Sequence, residues 1–509
     1  MDSVTIIGGG VSGCLTAKLL SSMGMHVVLL EDKADLFQGA SGRNWARLHL
    51  GQMSAPYIQM SKDIMQASID AAPIIQDFLI LPENAPKYFI PDDINKQTVL
   101  SHGGILDKDT YKNALVELEE YFKALLEKDT KASILPFTRR PFFSEMSQGE
   151  VTSELSDPRH SGFRSNEITI DLPRLTASLE MAIRNDPNIE IRTSASMQNL
   201  HYKDGVYNLN VKDIRTGKTS TIETRALVNA CWLHGPDVDR KLLANSGFDV
   251  DTITPTGKDY GAYAYRMQRY GIVSGLTGKR YDYKNILGKY GAGYFQATDD
   301  KAVIEVNGLS DLAVADRTIP ESWEKYLHSN IHKGAKFGSE DPLLDSCREQ
   351  FKGMFDTAKF ADEYHAAFWV AGNDRSVVGT KSLRNFPEQE TNIHNYYPMA
   401  SEKIPVAIRS AYEVAADIAI KMGNPELSKK LGEAKQHGFV QLRDIMLELP
   451  GIRIAPARKE DVYQLRGQKT MSHTTTAESV SAENYAPLKK IGADVVNKGK
   501  IVDKKHELE

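Results

Sequence analysis

Cysteine is scarce in this sequence, and long hydrophobic runs are absent. The 509 residues include three cysteines, widely separated and without a Cys-x-x-Cys pair, which argues against a disulfide framework or a zinc–cysteine site and favours a reducing compartment. No stretch reaches the ~18–20 uncharged apolar residues that a membrane span needs. Asp2 precedes the first apolar run, where a signal peptide would carry basic residues. We therefore predict a cytoplasmic protein without a membrane span.

A marked excess of charge of either sign is also missing. The chain has 62 basic and 67 acidic residues, a net charge of -5, and this near-balance argues against a general nucleic-acid binder. Hydrophobic residues make up 41%, enough for a large core and too many for a disordered chain. Neither a His-Glu-x-x-His nor a Gly-x-Ser-x-Gly motif occurs, so the metallohydrolase and serine-hydrolase classes lack support and no metal site is predicted.

The beginning of the sequence shows a strand–turn–helix–strand pattern. The β-branched run 4–7 predicts a buried strand, and it leads into a glycine-rich turn followed by leucines at helical spacing. A second apolar run ends at Glu31, about twenty residues after Gly10, the spacing typical of dinucleotide-binding folds. In such a motif Gly8 permits the tight turn, Gly10 lets the backbone approach a pyrophosphate, and Gly13 allows close packing of helix and strand.

This pattern predicts a dinucleotide-binding site. The free N–H groups and the positive dipole end of the following helix attract phosphates. Glu31 can accept hydrogen bonds from a ribose diol, and its charge would repel the extra phosphate of NADP. A glycine-rich turn that occurs by chance is the alternative, and the flanking strands and the correctly spaced acid argue against it. The pattern by itself does not separate FAD from NAD.

The segment 39–51, GASGRNWARLHLG, favours FAD. It resembles a stretch found in the superfamily of FAD enzymes that includes D-amino-acid oxidase, glycine oxidase and glycerol-3-phosphate dehydrogenase. In that superfamily the stretch runs beside the pyrophosphate and the ribityl chain and reaches the flavin ring. The resemblance implies that Ser41, Arg43 and Asn44 donate hydrogen bonds to phosphate and ribityl oxygens. A surface loop is the alternative.

The segment 165–240 resembles the middle part of the same superfamily. Met197 matches a strand residue whose backbone contacts the adenine. Ala230 matches the end of a strand that closes over the pyrophosphate. Cys231 and Trp232 replace the usual Thr-Gly after that strand, so we expect a displaced loop or a different contact there.

The segment 365–422 resembles the last flavin-contacting part of the superfamily. A strand leads towards Arg375, and a later turn with Met399, Ala400 and Ser401 precedes a helix whose N-terminus points at the flavin ring. The resemblance implies a set of FAD-binding residues: Gly8, Gly10, Ser12, Gly13, Glu31, Ser41, Arg43, Asn44, Met197, Ala230, Met399, Ala400 and Ser401.

Two residues are predicted to act on the substrate. His49 lies where the superfamily has a histidine or a small residue near the flavin, and it could orient the substrate or act as a base. A solvated or core-capping histidine is the alternative. Arg375 matches the arginine of the superfamily's Ala-Gly-x-Arg-Pro strand end and could clamp a substrate carboxylate with two hydrogen bonds. Its alternative is a surface ion pair, and Ser376 replaces the usual proline.

The predicted fold class is α/β. A Rossmann-type FAD-binding domain is expected to be interleaved with a mixed antiparallel-sheet (α+β) substrate domain and to be followed by a C-terminal helical extension. The predicted boundaries are 1–56, 165–240 and 365–424 for the discontinuous FAD-binding domain, 57–164 and 241–364 for the substrate or cap domain, 425–456 for the helical extension, and 457–509 for a polar, mobile tail.

The sequence and the resemblance together predict an FAD-dependent oxidoreductase. It would oxidise the C–N bond of an amino acid or amine, or the C–O bond of a hydroxy acid or polyol, by hydride transfer to the flavin. Its partners would be a small-molecule, carboxylate-bearing substrate and an electron acceptor that the sequence does not identify. A flavin-binding protein without catalysis is one alternative. A flavin monooxygenase is another, which the absence of any Gly-Asp dipeptide disfavours.

Overall fold

A computed structural model describes most of the chain. The described residues are 3–42, 47–52, 55, 57–77, 95–100, 107–247, 263–277, 281–288, 291–297, 301–306, 311–316, 342–371, 393–399, 403–452 and, singly, 454, 455, 457, 458, 461 and 465.

The described strands are numbered in chain order. They are β1 Ser3–Ile7, β2 His26–Leu30, β3 Arg47–Leu48, β4 Asn95–Leu100, β5 Phe143–Glu145, β6 Ser161–Ser165, β7 Ile168–Thr169, β8 Ile189–Arg192, β9 Ala195–Lys203, β10 Val206–Asp213, β11 Thr219–Thr224, β12 Ala226–Asn229, β13 Tyr263–Ser274, β14 Tyr281–Gly288, β15 Gly291–Ala297, β16 Lys301–Val306, β17 Asp311–Asp316, β18 Lys359–Ala371 and β19 Tyr396–Pro398.

The α-helices of the described residues are numbered in the same way. They are α1 Val11–Ser22, α2 Ile58–Asp77, α3 Lys108–Lys128, α4 Thr130–Ser133, α5 Gln148–Glu154, α6 Leu172–Arg184, α7 Gly235–Ser246, α8 Pro342–Gln350, α9 Ile404–Met422, α10 Pro425–Gln436 and α11 Phe439–Leu447. None of these helices is both long and apolar enough to cross a membrane.

A five-stranded parallel sheet carries the N-terminal motif. Its strand order is β19-β12-β1-β2-β8, so β1 lies at the centre. Val4 and Ile6 of β1 point into a core shared with α1 and α9, while Ile7 points into a core on the opposite face, shared with β9 and β10. Strands covered on both faces are mostly apolar, as β1 and β2 are. This arrangement confirms the predicted Rossmann-type α/β class.

The antiparallel part of the prediction is also confirmed. A three-stranded sheet, β11-β10-β9, contains a hairpin at Asp204-Gly205, where both residues have positive φ as a tight turn requires. A larger sheet runs β17-β13-β16-β15-β14-β4-β6-β5, with β18 also paired to β13, and β4 and β14 form its one parallel pair among the described strands. The predicted domain boundary at residue 365 falls inside β18. The domain boundaries stay a prediction.

The helical extension packs into the main core. Leu431 of α10 and Met446 of α11 are buried in the same cluster as α2 and α9. Arg443 of α11 is fully buried and pairs with Asp129, the residue that caps α4, through contacts of 2.6 and 3.1 Å. Ala457 N–H donates to the Ser178 hydroxyl of α6 at 2.7 Å. Such a buried ion pair is costly to break, so it holds the extension in one arrangement.

Candidate functional site

The turn after β1 depends on close backbone contacts. Gly8 has φ +111°, and a Cβ there would lie 2.5 Å from the Ala230 carbonyl oxygen at the end of β12. A Cβ on Gly13 would lie 1.9 Å from the Gly8 carbonyl oxygen. Gly8 must be glycine because of its positive φ and its contact with Ala230. Gly13 must be glycine because α1 approaches the turn so closely there.

Gly10 lies at the N-terminus of α1, next to the Ser41 side chain. A Cβ there would meet only the Ser41 side chain, with the hydroxyl oxygen 2.9 Å away. That hydroxyl accepts a hydrogen bond from Val11 N–H at 2.9 Å. Gly10 itself provides no side-chain cap, so the first N–H groups of α1 and the Ser41 hydroxyl together form a cradle with positive potential. Ser12 lies in the first turn of α1, where its carbonyl accepts from the Thr16 hydroxyl.

Glu31 follows β2 directly and turns back towards the glycine turn. Its Oε2 accepts from Gly9 N–H at 2.7 Å, and its Oε1 accepts from Lys33 N–H at 2.9 Å. Burial, followed by the hydrogen bond and the charge of Asp32, raises the pKa of Glu31 to about 8. Two backbone donors thus orient a carboxyl group that takes up a proton near neutral pH.

The end of β12 lies against the same turn. Ala230 N–H donates to the Ile7 carbonyl at 2.8 Å. Cys231 donates its thiol to the same carbonyl at 3.4 Å, and Trp232 takes a positive φ at the start of a short 3-10 turn that leads into α7. The Asn229 side chain holds this turn by donating to the Gly235 carbonyl at 2.9 Å. The chain at Cys231 and Trp232 thus turns directly into a helix, and its displacement relative to the superfamily stays a prediction.

Met197 and Met399 occupy the flanks of this region. Met197 lies in β9, whose first residue donates its N–H to the Glu31 carbonyl at 2.9 Å, so β9 begins beside Glu31. The Met197 carbonyl accepts from Lys241 Nζ at 3.1 Å. Met399 N–H donates to the Asn229 carbonyl at 2.7 Å, which ties the turn before α9 to the end of β12.

A second polar group surrounds His49. The carboxylate of Glu167 lies with Oε2 3.7 Å from His49 Nδ1 and 3.5 Å from Arg47 Nη1. Its Oε1 accepts from Leu50 N–H at 2.9 Å. Glu167 is 1% exposed and Arg47 is 3% exposed, whereas the His49 ring keeps 16%. Lys403 lies directly before α9, and its positive charge lowers the pKa of His49. We call these four residues the Glu167 cluster.

Burial and the neighbouring charges set the protonation of this cluster. Burial and then the charge of Lys403 lower the pKa of His49 to about 3, against the opposite influence of Glu167. Burial alone would raise the pKa of Glu167, but His49, Arg47 and the Leu50 N–H outweigh it and bring this pKa to about 2. The cluster therefore holds an ionised carboxylate, a neutral imidazole and two cations at ordinary pH.

The structure brings several predicted residues together and leaves others outside its described range. Gly8, Gly10, Gly13, Glu31, Ser41 and Ala230 meet at the carboxyl ends of the central parallel strands, with Met197 and Met399 at the flanks. Ser12, in the first turn of α1, and His49, in the Glu167 cluster, are also described. The other predicted residues lie outside the described residues: Arg43, Asn44, Arg375, Ala400 and Ser401.

Sequence reasoning missed Glu167 and Lys403. Glu167 contacts a backbone 117 positions away, so no local pattern connects it to His49. In the sequence, Lys403 is simply the residue before a helix, and no motif singles it out. Within the described part of the chain, no group of three or more His, Cys, Asp or Glu side chains is arranged to hold a metal ion.

Comparison with known families shows which family the chain belongs to. A family profile described as FAD dependent oxidoreductase, the DAO family, matches residues 3–269, more than half of the chain. The chain belongs to the DAO family. It is accordingly an FAD-dependent oxidoreductase, and FAD is its cofactor.

Solved structures show the DAO fold over most of the chain. Glycine oxidase from Geobacillus kaustophilus is 13% identical, with a TM-score of 0.53 over 83% of this chain and 96% of that one. L-alpha-glycerophosphate oxidase from Mycoplasma pneumoniae, solved with FAD bound, is 14% identical, with a TM-score of 0.52 over 82% of this chain and 95% of that one.

Curated relatives match over short segments. The FAD-dependent monooxygenase kojA of Aspergillus flavus is 50% identical over 48 residues, 9% of this chain and 11% of the relative. The FAD-dependent monooxygenase FPY4 of Fusarium mangiferae is 34% identical over 110 residues, 22% of this chain and 27% of the relative. The chain thus spans about a tenth to a quarter of the length of these relatives.

The described residues fit FAD. The space beside Gly10, which a Cβ would fill, lies at the N-terminus of α1, where a pyrophosphate is favoured. The carboxyl group of Glu31, held by Gly9 and Lys33, has the acceptors that a ribose diol needs. Gly10 follows β1 and Glu31 follows the neighbouring strand β2, as the two ends of a bound ADP moiety require.

We expect Gly10→Ala to weaken FAD binding without unfolding the protein. The added methyl group meets only the movable Ser41 hydroxyl in the protein but fills the space of the pyrophosphate. The FAD dissociation constant, measured by fluorescence titration of the apoprotein, should rise tenfold or more, a cost of about 1.4 kcal/mol or greater. Gly432→Ala is the control, since a Cβ there meets nothing within 4 Å. Equal affinity of Gly10→Ala and wild type would remove Gly10 from the cofactor site.

We expect the contribution of Glu31 to FAD binding to depend on pH. An ionised carboxylate accepts the ribose hydrogen bonds better than the protonated form, and the pKa of Glu31 is about 8 in the protein. Wild-type affinity should therefore fall as pH drops below 8. Glu31→Gln should bind FAD weaker than wild type by about 1–2 kcal/mol at pH ~9 and show a smaller deficit at pH ~6.

Titration of both proteins at the two pH values measures this difference. Glu190→Gln, an exposed carboxylate on β8, is the matched control. A Glu31→Gln protein that binds FAD as wild type does at both pH values would show that Glu31 does not hold the ribose.

Proposed function

We propose that this enzyme oxidises a C–N bond of an amine or amino acid, or a C–O bond of a hydroxy acid or polyol, by moving a hydride from the carbon to the flavin. FAD, when bound, accepts the hydride. The structural relatives glycine oxidase and L-alpha-glycerophosphate oxidase support this reaction class.

One observation carries the proposal. A single chain segment runs from the cofactor cradle, where Ser41 contacts the N-terminus of α1, to the Glu167 cluster, where His49 follows β3. The segment then contacts the part of the chain that follows α2. The Gln52 side chain donates to the Phe142 carbonyl at 2.6 Å, and the Gln52 carbonyl accepts from the Tyr111 hydroxyl. The cofactor cradle and the polar cluster are thus close together in the sequence, which suits a substrate site next to the flavin.

The Glu167 cluster supplies the substrate contacts in this proposal. Arg47 and Lys403 bring positive charge to the cluster, and in this proposal that charge attracts an anionic substrate group. Arg375 remains the proposed partner of a substrate carboxylate. The division into the FAD-binding domain, the substrate domain and the extension, at the boundaries given above, is also part of the proposal.

The protonation state of His49 favours the C–N alternative. With a pKa of about 3, its imidazole is a weak base near neutral pH. An alcohol must lose its O–H proton as the hydride leaves, whereas an amine that enters uncharged needs no base for hydride transfer. His49 then orients the substrate, and burial around it excludes water.

A flavin monooxygenase is the second candidate function. The two curated relatives that share short segments with this chain are named FAD-dependent monooxygenases. Such an enzyme would need a separate reductant for its flavin, usually a nicotinamide, before it used oxygen. The two candidates therefore differ in what reduces the flavin.

Anaerobic reduction of the flavin tests the proposal. The purified holoenzyme is mixed without oxygen with amines, amino acids, hydroxy acids or polyols, and in parallel with NADH or NADPH. We expect at least one amine or amino acid to bleach the visible flavin absorbance within seconds, and His49→Gln to slow this reduction while retaining FAD. Bleaching by the nicotinamides alone would instead favour the monooxygenase, and no bleaching by any compound would favour a binding protein.

A further inference from the structure

The Glu167 cluster has a feature that FAD binding does not use. β3 and β7 form a short antiparallel pair in which Leu48 lies opposite Ile168. His49 directly follows β3 and Glu167 directly precedes β7, so the pairing places the two residues side by side. The strand register thus fixes this contact between distant parts of the sequence.

The two carboxylate oxygens of Glu167 have different surroundings. Oε1 accepts from Leu50 N–H at 2.9 Å, which holds the backbone next to His49. Oε2 is buried and makes no hydrogen bond among the described residues, although Arg47 Nη1 and His49 Nδ1 face it at 3.5 and 3.7 Å. A buried acceptor without a hydrogen bond is costly. The negative potential of Oε2 acts on Arg47 Nη1 and His49 Nδ1, which lie next to it.

This geometry decides which ring nitrogen of His49 carries the proton. A neutral imidazole has one N–H donor and one acceptor nitrogen. The carboxylate faces Nδ1 and favours N–H there, which leaves the lone pair on Nε2. Arg47 on β3 and Lys403 before α9 oppose a second proton on the ring. Since the His49 side chain keeps 16% of its surface exposed, part of the ring remains accessible to a ligand.

We propose that Glu167 is a positioning residue that keeps the single proton of the neutral His49 ring on Nδ1, so that Nε2 accepts a hydrogen bond from the N–H or O–H group of the substrate. This inference rests on the proposed function for the substrate contact. Its statement about the His49 ring concerns the protein alone. Burial and the charge of Lys403 lower the pKa of His49 to about 3, which agrees with a neutral ring between pH ~5 and ~8.

The test is nitrogen NMR of the holoenzyme labelled with ¹⁵N-histidine. The His49→Gln variant identifies the His49 signals by their loss. In wild type we expect the Nδ1–H pattern, unchanged from pH ~5 to pH ~8. Glu167→Gln retains the shape and an acceptor for Leu50 N–H, but its amide N–H₂ now faces the ring. We therefore expect His49 to shift towards the Nε2–H form in this variant.

Glu180→Gln is the matched control, because Glu180 is a buried carboxylate of α6 that pairs with Arg184. It should leave the His49 signals unchanged, which separates the effect of Glu167 from a general loss of buried charge. On a substrate that reduces the flavin, Glu167→Gln should lower kcat/KM about tenfold or more with FAD content retained, because Nε2 then donates where it should accept.

An Nε2–H form in wild type, titration of His49 near its ordinary pKa of ~6.5, or an unchanged His49 pattern in Glu167→Gln would each overturn the proposal. The wild-type spectrum alone decides the first two points if Glu167→Gln does not fold. If the NMR results are as expected but no substrate reduces the flavin, the proposed reaction fails while the assignment of Glu167 to the His49 ring stands.

Discussion

Close contact between the backbones of β1, α1 and β12 is the constraint on which the cofactor site depends. A methyl group on Gly13 would lie 1.9 Å from the Gly8 carbonyl oxygen, and one on Gly8 would lie 2.5 Å from that of Ala230. Because side chains are excluded at these points, the N-terminus of α1 approaches the ends of the central strands closely. That approach places Glu31, Ser41 and the N-terminal N–H groups of α1 around one turn.

The segment from Ser41 to Gln52 extends this constraint to the proposed substrate site. It begins against the N-terminus of α1 and ends in a buried polar network in which Gln52 contacts Phe142 and Asn166. Between these ends, Glu167 holds both the Leu50 backbone and the charges near His49. Burying an ionised carboxylate costs stability, so its retention next to the largely buried His49 imidazole fits a role in positioning.

The parts of the fold that follow from local patterns could be predicted from the sequence. The glycine turn, the acid after β2 and the Asp171 cap with Pro173 early in α6 are set by residues within one element or two adjacent ones. The hairpin at Asp204-Gly205 is similarly local. The glycine turn and Glu31 lie where the sequence pattern predicts them.

Contacts between distant segments could not be predicted. The pairing of β3 with β7 brings Glu167 to His49, and no periodicity in either segment indicates it. The pairing of Arg443 with Asp129 joins the extension to α4 in the same way. The lowered pKa of His49 depends on burial and on Lys403. Neither is visible in the sequence, which therefore permits a base role for this histidine.

A crystal structure of the holoenzyme tests the central claim, that one connected segment links the FAD cradle to a substrate site at His49. We predict FAD with its ribose diol hydrogen-bonded to Glu31, its pyrophosphate against Gly10 and the N-terminus of α1, and its flavin ring beside the His49 imidazole. Electron density that places the flavin ring away from the Glu167 cluster, with the adenine end still at Glu31, would contradict the account.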